Sequence, residues 1–238
     1  MDYKTILVHV DESRRGQEQI RIAALLAQKH GAHLIGAAAT GVAPQFLMPG
    51  VIGESNLALL EPAMSELREQ AASRLAEFES AAWKMDVKSF EKRLVEDDAG
   101  VGLCLQARYS DLVVIGQVNR ADYSAVLRAD FPEYVLLNCG RPVLIVPYAG
   151  HFPACGKRVL VAWDASVEAT RAVSASIPLL QQAELVRVVV FDRGNPSGAH
   201  GEQPGADIAL YLARHGIKVE VSEQAMPKDI DTGNALLS

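Results

Sequence analysis

Short apolar runs alternate with segments of helical periodicity along the first 148 residues of the chain. These runs predict strands at Lys4–Val10, His33–Ala39, Val87–Val95, Leu112–Ile115 and Val143–Val146. Most of them are rich in Val, Ile and Leu without polar alternation, which is typical of strands buried on both faces of a parallel sheet. Val87–Val95 is more polar, so we expect it nearer an edge of that sheet.

Between these runs, apolar residues recur at three- and four-residue spacing and predict helices. The helix after the first strand has Ser13 as its expected N-cap and Gly31 as its expected C-terminal stop. A long helix is predicted over Ala63–Lys84, after an irregular, proline-containing stretch, and shorter ones over 98–107 and 123–138. Strands alternating with helices indicate an α/β fold with a doubly wound parallel sheet and right-handed crossovers.

The same pattern begins again after residue 156. Lys157–Ser166 overlays Lys4–Ser13 without a gap, and Asp231–Leu236 overlays Asp98–Leu103. A strand, a helix and a further strand are predicted between them, at Leu185–Phe191, Ala206–His215 and Ile217–Val221. The chain is therefore interpreted as an internal duplication.

The two copies differ in extent. Repeat 1 is predicted over residues 1–148 and repeat 2 over 157–238, with a linker at 149–156. Repeat 2 has no counterparts of residues 106–148, so the last two strands of its sheet are missing. Because this leaves one edge of its first strand bare, we expect either that the sequence is a piece of a longer protein, which we favour, or that another element covers the edge.

Composition narrows the class of protein. Hydrophobic residues make up 49% of the chain and charged residues 22%, as in ordinary globular proteins. The net charge of −6 and the lack of a basic stripe argue against a nucleic-acid partner. No apolar run approaches the roughly 20 residues of a membrane helix. The three cysteines include no CxxC pair, which fits a reducing cytoplasm and gives no zinc signature. We expect a cytoplasmic protein without a metal.

Three segments carry a recognisable order and spacing. They are Ile6-Leu-Val-His-Val-Asp11-Glu-Ser13, Asp111-Leu-Val-Val-Ile-Gly116 and Val135-Leu-Leu-Asn-Cys-Gly-Arg-Pro-Val-Leu-Ile-Val146. Together they resemble the universal stress protein family, and the duplication resembles its tandem type. The resemblance implies an adenine nucleotide alpha hydrolase-like sheet of strand order 3-2-1-4-5. It also implies that ATP-binding members hold the nucleotide between the ends of the first and fourth strands.

In ATP-binding members the nucleotide loop reads Gly, two residues, Gly, nine residues, Gly, then Ser or Thr. The corresponding positions of this chain are Gly116, Asn119, Ala129 and Asp130. Glycines in such a loop let backbone N–H groups approach a phosphate; Asn119 tolerates the same backbone conformation, but Ala129 adds a methyl group. Asp130 brings a carboxylate, and a like-charge contact at about 4 Å costs on the order of 4 kcal/mol at an effective dielectric of about 20. Repeat 1 is therefore expected not to bind ATP in the manner of the family.

Two aspartates match the acidic residue that ends the first strand near the adenine in nucleotide-binding relatives. They are Asp11 in repeat 1 and Asp164 in repeat 2, and each has the alternative of capping the helix that follows it. An adenine nucleotide such as ATP is expected, if at all, in repeat 2 only. His9 lies on the first strand and is expected to be a core histidine.

Function remains open among three classes at this point. The sequence shows no convergent acid–base pair, metal-ligand spacing or nucleophile motif, so a protein without catalytic activity is expected. The favoured function is that of a stress-response regulatory or binding protein. The alternatives are an interaction scaffold without a small-molecule ligand and, last, a weak ATP hydrolase. Expected partners are repeat 2 for repeat 1, and a second copy of the chain in a homodimer.

Overall fold

The computed structural model describes residues 2–13, 16–43, 54–119, 130–192, 204–225 and 230–237. The chain divides into two compact units, a first unit at Asp2–Cys155 and a second unit at Gly156–Ser238. The boundary lies at the end of the segment that the sequence predicts as a linker. Each unit alternates strands with helices. Within the described ranges, no helix combines the length and the apolar character needed to cross a membrane.

The first unit contains a parallel sheet of five strands in the order β3-β2-β1-β4-β5, which confirms the predicted order and places β3 at an edge. Its elements are β1 (Thr5–His9), α1 (Gly16–His30), β2 (His33–Ala39), α2 (Glu54–Lys84), β3 (Phe90–Val95), α3 (Ala99–Ala107), β4 (Leu112–Gly116), α4 (Phe131–Asn138) and β5 (Val143–Val146).

Strand β1 is the centre of this sheet. Leu7 pairs with Ile35 of β2 on one side and with Val113 of β4 on the other, and its side chain is fully buried. The chain leaves β1 towards β2 and returns on the opposite side as β4. Ligands of open α/β sheets bind at such a reversal of strand order, outside the carboxyl ends of the strands.

Helix α2 begins earlier than predicted. The sequence predicts an irregular segment up to Pro62, but the helix runs over Glu54–Lys84 with Pro62 inside it. The residues before Pro62 are mostly good helix formers, and Pro62 itself is exposed, so the loss of one backbone hydrogen bond does not end the helix.

The predicted apolar stripe of α2 packs onto the sheet, as its spacing indicates. A Cβ atom at Gly36 of β2 would lie 2.6 Å from the ring of Phe78, which is fully buried. The small residue at this position of β2 therefore accommodates the close packing of a helix onto the sheet.

Two strands begin later than predicted because the preceding helices close with the same hydrogen bond. Asp86 has a φ of 55°, and Val87 N donates to Ala82 O at 3.0 Å, so β3 starts at Phe90 instead of Val87. In the second unit Gly216 has a φ of 75°. There the N–H of Ile217 donates to Leu212 O at 3.2 Å, and the strand begins at Val219 instead of Ile217.

The second unit contains a parallel sheet in the order β6-β7-β8, the same order as β1-β2-β3. Its elements are β6 (Arg158–Ala162), α5 (Val167–Leu180), β7 (Leu185–Asp192), α6 (Pro204–Arg214), β8 (Val219–Ala225) and α7 (Thr232–Leu237). Strand β8 extends beyond its predicted end because Ala225 still pairs with Asp192 of β7.

Candidate functional site

The carboxyl ends of β1 and β4 lie side by side in the first unit, where Val8 pairs with Val114. Asp11 follows β1 and Gly116 ends β4, so the fold brings these two predicted residues to the same edge of the sheet. Asn119 lies three residues beyond Gly116 and is exposed. This edge is the candidate site of the first unit.

Both carboxylate oxygens of Asp11 accept hydrogen bonds, one from Ser13 in the turn before α1 and the other from Gln19 of α1. Its Oδ1 accepts from Ser13 N at 3.0 Å and from Ser13 Oγ at 2.7 Å, and its Oδ2 accepts from Gln19 Nε2 at 3.2 Å. The turn is tight, since a Cβ at Gly16 would lie 3.0 Å from Asp11 O. The contacts with Ser13 form a local side-chain turn before α1, and the capping of this helix by Asp11 stays a prediction.

Gln19 of α1 is a site residue that sequence reasoning missed. Its side chain is 2% exposed, and a Cβ at Gly116 would lie 2.0 Å from its Nε2 atom. The glycine at the end of β4 therefore gives space to the Gln19 amide. Gln19 Oε1 is buried and has no hydrogen-bond partner among the described residues.

A signal for Gln19 exists in the sequence. Extending the overlay of the two copies into their helices aligns Ile20 with Val173, and both side chains are buried, at 3% and 5% exposure. In this register Gln19 aligns with Ala172, so a long polar side chain stands where the second copy has a methyl group.

Asp130 is the N-cap residue of α4, with φ −93° and ψ −1°. Its carbonyl oxygen accepts from Tyr134 N at 2.8 Å, but its side chain makes no capping hydrogen bond and is exposed. Ala129, and the part of the predicted helix before Asp130, lie outside the described residues. The start of a helix favours a bound anion, and at the start of α4 the exposed carboxylate of Asp130 already lies at that position.

His9 is buried at 7% exposure, as expected of a core histidine, and its ring lies 4.7 Å from that of Phe131, centroid to centroid. Phe131 is the first residue of α4. This ring contact brings the start of α4, and with it Asp130, to the end of β1.

The guanidinium group of Arg74 lies at the same edge of the sheet, near the end of β2. Arg74 of α2 donates through Nη2 to Ala39 O at 3.2 Å, and its Nη1 lies 3.6 Å from a carboxylate oxygen of Glu12. Thr40 follows β2, is 5% exposed, and its Oγ1 has no hydrogen-bond partner within the described ranges. Neither Arg74 nor Thr40 is marked by a motif in the sequence.

In the second unit Asp164 follows β6 and is exposed. Its Oδ1 accepts from Ser166 N at 3.0 Å, and Ser166 Oγ in turn caps α5 by accepting from Ala169 N at 3.1 Å. The hydrogen bond between Asp164 and Ser166 N has the same distance as that between Asp11 and Ser13 N. The position that aligns with Gln19, Ala172, is exposed.

Neither thiol chemistry nor metal binding finds support in the part of the chain that the structure describes. Burial raises the pKa of Cys104 to about 11 and also raises the pKa of Cys155, which disfavours the thiolate at neutral pH. No group of three His, Cys, Asp or Glu side chains is arranged there to hold a metal ion.

Comparison with known proteins gives a consistent result. Residues 2–147 match the model of the Universal stress protein family. A universal stress protein from Archaeoglobus fulgidus DSM 4304 superposes with a TM-score of 0.69 at 16% identity, over 94% of this chain and 77% of that chain. The universal stress protein UspA from Lactobacillus plantarum gives 0.49 at 21% identity, over 61% and 99%. A universal stress protein in complex with cAMP gives 0.42 at 24% identity, over 61% and 98%. No curated protein matches the sequence.

Proposed function

Because the chain belongs to the universal stress protein family, we propose that it is a stress-response regulatory protein without catalytic activity. In this proposal it consists of two tandem repeats of the family fold and works in the cytoplasm. The order β6-α5-β7-α6-β8 in the second unit supports the tandem arrangement, because it repeats the order of β1 to β3 with their helices. A weak ATP hydrolase is the less favoured alternative, which phosphate release over many turnovers above a buffer blank would support.

In this proposal the first repeat does not bind ATP in the manner of ATP-binding members. The observation that supports this is the position of Asp130. Its exposed carboxylate stands at the start of α4, where the family resemblance places the phosphates. A like-charge contact at about 4 Å costs on the order of 4 kcal/mol, and solvent screening at an exposed position reduces this. We expect the carboxylate to weaken ATP binding by about ten- to a hundredfold.

ATP titrated into the full chain by isothermal titration calorimetry tests this proposal. We expect a dissociation constant of about 1 mM or weaker. Asp130→Ser restores the hydroxyl of the family loop, and we expect it to tighten binding about tenfold or more. Glu133→Gln is the matched control, because it removes an exposed carboxylate from the first turn of the same helix. Micromolar binding by the unaltered chain, or equal effects of the two variants, contradicts the proposal.

Any adenine nucleotide is proposed to bind in the second repeat. The exposure of Asp164 and the small side chain of Ala172 support this assignment, because the position aligned with Gln19 carries only a methyl group. Residual ATP binding by the full chain is expected to disappear in Asp164→Ala and to persist in Asp11→Ala. The reverse pattern places the nucleotide in the first repeat.

An exposed apolar face in the first unit favours the alternative of an interaction protein that forms a homodimer. Helix α3 packs against α4. Between them they expose Val101 at 45%, Leu105 at 49% and Leu137 at 81%. Apolar patches of this kind mark protein–protein contacts. We propose that two copies of the chain pair through this face.

Light scattering after gel filtration tests the pairing. Leu137→Lys is expected to convert the dimer to a monomer, while Leu237→Lys, at an 88% exposed position of α7, leaves the mass unchanged. A monomeric unaltered chain at the highest attainable concentration argues against the homodimer.

A further inference from the structure

The predicted linker, residues 149–156, is held against helix α1 by two charged side chains. Both polar groups of the Phe152 backbone take part: its N–H donates to Glu18 Oε1 at 3.1 Å, and its carbonyl oxygen accepts from Arg21 Nη2. Glu18 and Arg21 also bind each other through two hydrogen bonds, at 2.7 Å and 2.9 Å. The two side chains and the backbone of Phe152 thus form a closed ring of hydrogen bonds, which we call the linker clasp.

The ion pair of the clasp is partly buried. An exposed ion pair contributes little to stability, because solvent screens its charges and its side chains lose entropy. Here only 11% of the Glu18 side chain and 26% of the Arg21 side chain are exposed, and the double hydrogen bond fixes their geometry. His151 Nδ1 lies 3.7 Å from Glu18 Oε1 and adds a favourable charge when it is protonated. The clasp therefore holds the linker with charge-assisted hydrogen bonds that solvent reaches only in part.

The backbone before Phe152 is shaped to fit the clasp. Gly150 has a φ of 98°, a conformation that favours glycine and lets the chain turn there. The ring of Phe152 lies against this turn, since a Cβ at Gly150 would be 3.0 Å from the Cζ atom of the ring. A side chain at position 150 would strain the backbone and press on the residue that the clasp holds.

Beyond the clasp the chain soon enters the second unit, which begins at Gly156. A Cβ at Gly156 would lie 2.9 Å from Leu179 Cδ1 of α5, so this glycine packs within the second unit. A fixed Phe152 therefore leaves residues 153–155 to join the two units. Without the clasp, the joining segment would start at the beginning of the predicted linker and cover residues 149–155.

We propose that the linker clasp places the flexible joint between the two units at residues 153–155, instead of along the whole linker. At about 3.5 Å per extended residue, the joint spans up to about 11 Å with the clasp closed and about 25 Å with it open. The effective concentration of two tethered units falls roughly as the −3/2 power of the length of a flexible tether, so the closed clasp raises it about three- to fourfold. The clasp thus limits how far the second unit moves from the first.

Backbone amide relaxation and hydrogen exchange of the full chain, measured by NMR, test this proposal. We expect order parameters of about 0.85 at residues 150–152 and the lowest values of the linker at 153–155. Glu18→Ala removes the acceptor shared by Phe152 and Arg21. In this variant we expect the order parameters of residues 149–152 to fall below about 0.6 and the Phe152 amide to exchange about tenfold faster or more.

Two further variants make the test specific. Gln17→Ala removes an exposed side chain next to Glu18 on the same helix and is expected to leave both measurements unchanged. Gly150→Ala keeps the ion pair but strains the turn, so it is expected to speed the exchange of the Phe152 amide as Glu18→Ala does.

Order parameters below about 0.6 at residues 150–152 of the unaltered chain overturn the proposal. An unchanged exchange rate of the Phe152 amide in folded Glu18→Ala does so as well. The amide of Leu7 in β1 reports opening of the whole first unit. If it accelerates as much as that of Phe152, the variant destabilises the entire unit, which contradicts a local clasp.

Discussion

Strands β1 and β6 carry nearly the same sequence pattern but have different surroundings. Leu7 of β1 is fully buried, whereas Leu160, at the aligned position of β6, is 49% exposed. β1 pairs with β2 and β4, while β6 pairs with β7 and forms the edge of the described sheet. The neighbours of a strand, more than its own sequence, decide how deeply it is buried.

The residues that follow these two strands show the same contrast. Asp11 and Asp164 both accept from the N–H of the serine two residues later, at 3.0 Å in each unit. Asp11 also accepts from Gln19, whose amide covers Gly116. The two units therefore share this local turn. In the first unit a glutamine side chain also fills the space beside it, whereas the aligned residue of the second unit is alanine.

The largest difference is expected from removing the aligned leucines. Leu7→Ala leaves a cavity in a closed core and should reduce the stability of the first unit by about 2–5 kcal/mol. Leu160→Ala should cost the second unit less than about 1 kcal/mol, because half of that side chain already meets solvent. Urea unfolding followed by fluorescence measures each unit separately in chains that keep a single tryptophan, Trp83 for the first unit or Trp163 for the second. Equal costs would show that another element covers β6 in solution.

A second contrast concerns an ion cluster on α1. Oε1 of Glu18 lies 2.7 Å from Arg21 Nη2, accepts from Phe152 N at 3.1 Å and lies 3.7 Å from His151 Nδ1. The Arg21 guanidinium, helped by Phe152 N–H, lowers the pKa of Glu18 to about 2 from the ordinary value of 4.5. In the second unit the aligned positions are Arg171 and Ser174, which cannot form this cluster.

The depressed pKa of Glu18 predicts the direction of a pH effect. The cluster contributes fully above about pH 4.5 and is lost as the pH falls towards 2. We expect Glu18→Gln to destabilise the first unit by about 1–2 kcal/mol at pH 7 and not at pH 2. Unfolding followed through Trp83 at both pH values measures this, with Glu66→Gln as a control at an exposed position of α2. A loss of equal size at both pH values would point to packing instead of charge.

The strands of the sheet could be predicted because each is marked by a pattern of neighbouring residues in the sequence. The apolar runs at β1, β2 and β5 and the glycine that ends β4 mark strands and turns without reference to the rest of the chain. The predicted strand order came from resemblance to a family, and the strand pairings confirm it. The predicted start of α2 was too late because Pro62 was taken as the boundary of the helix, although most of the residues before it favour helix formation.

The contents of the site were less predictable, because they depend on which side chains meet after folding. Asp11 and Gly116 were named from the sequence, but the amide between them comes from Gln19, which carries no motif. Arg74 reaches the carbonyl of Ala39 from a distant helix. Such contacts follow from helix packing over the sheet and are visible only in three dimensions.

The smallest expected difference lies in a pair of helix caps. Asp98 Oδ1 accepts from Gly100 N at 2.9 Å and from Val101 N at 3.1 Å, and Asp231 Oδ1 accepts from Asn234 N at 3.0 Å. Helix α3 packs against α4 and β2 in the core of its unit, so Asp98→Ala should cost about 1 kcal/mol. Asp231→Ala should have a smaller effect, because α7 is a helix of only 6 residues with a single buried side chain, so its cap stabilises little else. Unfolding midpoints reported by Trp83 and Trp163 separate the two, and a larger loss for Asp231→Ala would mean that α7 is held in place by more than its own hydrogen bonds.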